Sequence, residues 1–128
     1  MFQIDSKSRK SIYEQVVDNI KELIMRNVLP PQSKLPSVRE LSKLLLINPN
    51  TVQKAYKELE RQGYIYTSAG LGTFVSKIDT NVLDMQKFKD IMEHIRFYIE
   101  ELHYIGLTDD EILKAVEEII NERGEQLD

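Results

Sequence analysis

At 128 residues the chain has room for one domain with an appendage, or for two small domains, but not for a multi-lobed enzyme. It contains no cysteine, which excludes disulfides, thiolate catalysis and cysteine-held zinc. Its net charge of -4 conceals a split: residues 1–77 carry twelve Lys or Arg against seven acids, a balance of +5, while residues 78–128 carry five against fourteen, a balance of -9, so only the first part suits a phosphate backbone.

The longest aliphatic run, Leu44 to Ile47, is far short of a membrane span, and the N-terminal stretch MFQIDSKSRKS lacks the apolar core of a signal peptide. A cytoplasmic protein with no membrane partner is therefore expected. Ser or Thr followed three residues later by Glu marks helix starts, because each side chain satisfies an orphan N–H of the first turn. The pattern occurs at Ser11/Glu14, Ser37/Glu40 and Thr108/Glu111. After the first, Ile12, Val16, Ile20, Leu23 and Ile24 recur at helical spacing and predict an amphipathic helix to about Asn27. Pro30-Pro31 ends it and imposes an extended connection.

A second helix, capped by Ser37, is expected to turn Val38, Leu41, Leu44 and Leu45 inward. Its pattern fails near Ile47, and Asn48 with Pro49 has the chemistry of a cap and first-turn residue for a third helix. The break of about three residues has the connection length of a helix-turn-helix. In the third helix Val52, Ala55, Tyr56 and Leu59 form the buried stripe, while Asn50, Gln53, Lys54 and Lys57 fall on another face. Gly63 closes it. From Tyr64 to Val75, aromatic and β-branched residues flank the small-residue turn SAGLG and read as a hairpin. The fold class is thus mainly α, a winged helix-turn-helix of three helices plus a β-hairpin wing over residues 1–77. Asp79 to Asn81 reads as a short linker.

The acidic remainder, residues 78–128, is predicted to form two helices. Met85, Phe88, Ile91, Met92, Ile95, Tyr98, Ile99, Leu102 and Ile105 alternate steps of three and four up to Gly106; Thr108 caps a helix bearing Ile112, Leu113, Val116, Ile119 and Ile120. Two helices cannot enclose their own apolar faces. They must pack on the first domain, on a second copy, or on both. The stripe formed by Phe88, Ile91, Met92, Ile95, Tyr98, Ile99, Leu102, Ile112, Val116 and Ile119 has acidic flanks and a modest length that favour dimer packing over a ligand pocket, which makes it the candidate dimerisation surface.

The segments YEQVVDNIKELI, LPSVRELSKLL and NPNTVQKAYKELERQGYIYTSAGLGTFV together resemble the DNA-binding domain of the GntR family of bacterial transcription regulators, over roughly residues 11 to 76. The tail sequence GLTDDEILKAVEEII further resembles the YtrA subfamily, whose members are short and lack a large effector domain. The resemblance implies a homodimer, held by the tail helices, that represses from a palindromic double-stranded operator, with ABC-transporter genes as common targets. It also implies that Arg39 reads bases, that Asn48, Asn50, Thr51 and Gln53 lie where contacts are made at the start of the recognition helix, and that Gly70 is the wing-tip glycine entering the minor groove. Many family members place arginine where this chain has Pro49 and Gln53; amides favour adenine edges and arginine favours guanine, so the resemblance does not fix the operator sequence.

Lys54, Lys57, Ser37 and Thr51 are candidates for phosphate, since point charges and hydroxyls position without specifying. Gly70-Leu71-Gly72 is not a nucleotide loop, because no third glycine follows and no helix starts there. His94 and His103 lie nine residues apart, on opposite helix faces, and cannot share a metal within one chain. Asp109, Asp110 and Glu111 are explained by the dipole of a helix first turn. No cofactor is expected, and with no catalytic constellation an enzyme is not expected either. The competing class is a winged helix that docks a protein through Asn50 to Lys57 without touching DNA; the +5 balance opposes it. No effector domain is legible, so a releasing signal would act on dimer geometry, for example through a small molecule at the tail interface.

Overall fold

The computed structural model describes residues 1–77 and 84–127, with side chains to residue 124. It divides into two compact units, Met1–Asp79 and Thr80–Asp128. The linker expected at Asp79 to Asn81 lies outside the described residues.

The first unit contains α1 (Ile12–Met25), α2 (Val38–Leu45), α3 (Pro49–Arg61), β1 (Ile65–Ser68) and β2 (Gly72–Val75). Each helix begins where a side chain takes over an unsatisfied amide. Ser11 Oγ accepts from Glu14 N at 3.1 Å, Ser37 Oγ from Glu40 N at 3.0 Å, and Asn48 Oδ1 from Asn50 N at 2.8 Å. α1 buries Val16, Val17, Ile20 and Ile24, and packs across α3, which buries Val52, Ala55, Tyr56 and Leu59. Leu29, Leu35, Leu41, Ile65 and Val75 complete the core. α1 ends earlier than its apolar spacing predicts, at Met25, because Asn27 turns left-handed at φ 60°.

One expected core residue is not in the core. Leu44 is 65% exposed, and Ser42 is buried instead, its Oγ donating to Arg39 O at 2.9 Å. The inward face of α2 runs through Leu41, Ser42 and Leu45, which sets Leu44 well to one side at 100° per residue. Leu46 then takes the left-handed conformation at φ 57° that makes the turn, and leaves its side chain 90% exposed.

The hairpin pairs antiparallel with Ile65 opposite Val75 and Tyr66 opposite Phe74. The first pair is buried in the core, whereas the second stacks on the outer face with ring centres 5.7 Å apart. A third extended segment lies beside β2. Gln32 N donates to Val75 O at 2.8 Å, Val75 N to Ser33 O at 2.9 Å and Leu35 N to Thr73 O at 2.8 Å. The extended connection that the two prolines impose is therefore the outer edge of the wing, which composition alone did not reveal.

In the second unit, α4 (Met85–Tyr104) is capped by Asp84, whose Oδ1 accepts from Lys87 N at 3.1 Å. α5 (Asp109–Leu127) follows a turn at Gly106 and starts with a reciprocal capping box: Glu111 N to Thr108 Oγ1 at 3.2 Å and Thr108 N to Glu111 Oε1 at 3.0 Å. The backbone bond from Thr108, followed by its hydroxyl, holds the Glu111 carboxyl below its usual range. His103 Nε2 meets Asp109 Oδ1 at 2.6 Å across the turn. α4 has no buried residue among those described.

Tyr56 ties α3 to the start of α2: its hydroxyl donates to Pro36 O at 2.7 Å. Burial, and secondarily the Glu40 carboxylate, push the phenol well above the usual tyrosine range. Tyr56→Phe is expected to cost about 1 kcal/mol in urea unfolding, since it leaves Pro36 O without its partner. The folded state keeps the proton while the unfolded chain ionises near pH 10.0. The stabilising contribution of this phenol is thus present below that pH and lost as pH rises above it, a loss that Tyr56→Phe should remove. Leu46→Gly should raise stability by up to about 1 kcal/mol, as relief of the left-handed backbone outweighs the added chain entropy; a destabilised variant would show that the exposed leucine contributes to folding.

Candidate nucleic-acid interface

The exposed surface of the first unit gathers most of the residues singled out in the sequence. Arg39 stands in the first turn of α2, exposed, with no side-chain ion pair or hydrogen bond among the described residues; the pairing with Glu40 that would have neutralised it is not formed. On α3, Asn50, Gln53, Lys54 and Lys57 are all exposed, while the opposite face is in the core. The face exists because the apolar stripe at Val52, Ala55, Tyr56 and Leu59 leaves only polar residues pointing away.

Two predicted contact residues already have local duties. Ser37 Oγ accepts the α2 cap bond, which leaves its hydroxyl hydrogen to donate outward. Asn48 Oδ1 accepts the α3 cap bond, which leaves its amide NH2 and one oxygen lone pair for a ligand. Gly70 lies at the wing turn with φ 78°, exposed, and a Cβ there would meet nothing within 4 Å. Its glycine is required by the backbone conformation and not by a close neighbour.

The structure adds residues that the sequence alone did not single out. Tyr13 of α1 joins Thr51, Lys54, Lys57, Glu58 and Arg61 around an open groove of roughly 580 Å³ along α3. Arg61 is engaged there by a neighbour on its own helix. Its Nε donates to both carboxylate oxygens of Glu58, at 2.7 and 2.9 Å, and this bond is the main reason that the Glu58 carboxyl sits below its usual range. Lys54 and Lys57 are the groove cations without an ion pair among the described residues. Only the packing of α1 on α3 brings Tyr13 to this groove, so no spacing rule within one helix could have found it.

The candidate dimerisation stripe is largely uncovered. Phe88, Ile91, Met92, Ile95, Tyr98, Val116 and Ile119 are exposed, and Ile99 and Leu102 are half-buried. Ile112 differs: at 5% exposure it is already buried in the single chain and offers little surface to a partner. Exposed large apolar groups in such number on one hairpin mark an interaction surface.

Comparison with known proteins gives this geometry a context. Residues 12–75 match the family described as bacterial regulatory proteins, gntR family. The chain is 43% identical over 119 residues to the HTH-type transcriptional repressor YtrA of Bacillus subtilis, covering 93% of this chain and 92% of that protein. The solved structure of a transcriptional antiterminator from Listeria monocytogenes EGD-e superposes with a TM-score of 0.84 at 39% identity, over 93% of this chain and 89% of the other. The DNA-binding domain of AraR, solved in complex with operator ORE1, aligns with a TM-score of 0.51 at 30% identity, over 59% of this chain and 93% of that one.

Proposed function

The chain belongs to the gntR family of bacterial regulatory proteins and is a DNA-binding transcription regulator, not an enzyme; from that premise we propose that it acts as a homodimeric repressor of a palindromic operator. The observation that carries the reading is the unpaired, exposed Arg39 beside a recognition helix whose outer face is Asn50, Gln53, Lys54 and Lys57. Arg39 and the amides read base edges, Ser37, Thr51 and the two lysines grip phosphates, and Gly70 lets the wing tip approach the minor groove. The amide of Asn48 is a further donor at the helix start. In this reading, sequence recognition is shared by α2 and α3.

Dimerisation is proposed through the exposed stripe of α4 with Val116 and Ile119 of α5, because a face of this kind must be covered and a second copy presents the same face in return. Two recognition helices then meet successive major grooves of a two-fold operator. The acidic second unit is repelled by phosphate and leaves the basic first unit to make the contact. We place the releasing signal at the tail interface, where a small molecule would change the distance between the two reading heads. Genes for ABC transporters are the proposed targets, and the cytoplasm the proposed location, on the similarity to the YtrA group.

Selection of bound duplex from a random pool supplies the operator for testing. Arg39→Ala should then lose about 1–3 kcal/mol of discrimination between operator and random duplex in a fluorescence titration. Equal loss on both duplexes would remove Arg39 from the base-reading set. Ile95→Glu, a charge in the middle of the apolar stripe, should yield a monomer by sedimentation velocity and lower operator affinity about 100-fold or more, as one half-site must bind alone. A variant that stays dimeric would move the interface elsewhere.

A further inference from the structure

The wing has no charge of its own. From Tyr64 to Ser76 there is no Lys, Arg, Asp or Glu, so the hairpin and its turn would approach a polyanion as a neutral object. Beside it runs the extended connector of α1 and α2, where Lys34 forms an antiparallel bridge with Phe74. That register puts the Lys34 side chain on the outer face of the wing, with Tyr66 and Phe74, and away from the face that buries Ile65 and Val75. From there the side chain crosses Gly72. A Cβ built on Gly72 would stand 2.8 Å from Lys34 Cε and 3.6 Å from its Nζ. The ammonium therefore lies beside Gly72, two residues from the wing-tip Gly70, and the bare backbone of Gly72 is what lets the lysine stem lie so close.

Lys34 is exposed, and no ion pair or hydrogen bond of its side chain is formed among the described residues. Its charge is thus neither neutralised nor committed. We propose that Lys34, which comes from outside the hairpin, is the cation of the wing: as the wing tip approaches the minor groove, its ammonium takes a backbone phosphate at the groove edge. The proposal rests on the DNA-binding reading of the domain and extends its contact surface to the connector. A lysine at a phosphate releases counterion without reading sequence. Lys34 therefore strengthens binding to every duplex and leaves discrimination to Arg39 and the amides of α3.

The test uses the full chain and two duplexes, the selected operator and a random sequence, titrated between low and moderate salt. Lys34→Gln keeps most of the stem that crosses Gly72 and removes the charge; Lys34→Arg keeps the charge, and far-UV circular dichroism with thermal melting checks that both fold as the wild type does. Lys34→Gln is expected to weaken both duplexes by a similar factor, about tenfold at low salt, and to reduce the slope of log K against log[salt] by about 1, with the operator preference intact. Lys34→Arg should restore both affinity and slope. If wild type binds normally and Lys34→Gln matches it in affinity and slope, Lys34 does not touch DNA and the proposal falls alone. If Lys34→Gln loses operator preference while its slope is unchanged, the lysine acts on base reading, which also overturns it. If the wild-type chain itself binds neither duplex, the DNA-binding reading falls and takes this proposal with it.

Discussion

The geometry of the first unit depends on one short stretch of chain, the connector from Gln32 to Ser37. It is held on every side by directional bonds. Backbone pairing from Gln32, Ser33 and Leu35 fixes it to β2, the Tyr56 hydroxyl fixes Pro36 to α3, and Ser37 caps α2. Apolar burial drives the collapse of α1 on α3 but does not choose an angle, because it is proportional to area and indifferent to direction. Hydrogen bonds supply the missing direction. The connector thereby sets where α2 begins, where Arg39 stands, and how the wing is spaced from the recognition helix.

Much of this was legible in the residues, and the reason is locality. Helix starts at Ser11, Ser37, Asn48 and Thr108 could be read because a cap bond joins atoms two or three residues apart. The hairpin was legible because glycines and alternating β-formers signal it within a dozen residues. What escaped involves distance along the chain. The connector pairs with β2 across about forty residues, and a segment that follows two prolines and contains a third carries no mark of a strand that would announce it. Leu44 was misplaced because α2 has eight residues, too few turns to define an apolar face when three leucines compete for it.

The proposed DNA-contact surface divides the same way. Arg39, the exposed face of α3 and Gly70 could be named from position in a family pattern, and the fold shows them exposed. Their local entanglements could not be named: Asn48 gives its oxygen to a helix end, Arg61 gives its guanidinium to Glu58, and Tyr13 reaches α3 only by packing. A side chain with a structural partner has fewer ways to meet a ligand, so counting hydrogen-bond capacity is more informative than naming residue types. In the tail, periodicity names an apolar stripe but does not separate Ile112, already covered, from the residues left open.

α4 buries none of its described side chains in a single chain, even though it spans twenty residues. A helix with so little to lean on draws its stability from whatever covers it, and for the proposed second copy that support scales with abundance by mass action. Folding of the tail, pairing of the chains and occupancy of a two-fold site are then one linked equilibrium. A regulator that pairs as proposed would measure its own concentration: diluted after cell growth it would loosen from its operator more steeply than a preformed dimer, without any ligand having arrived.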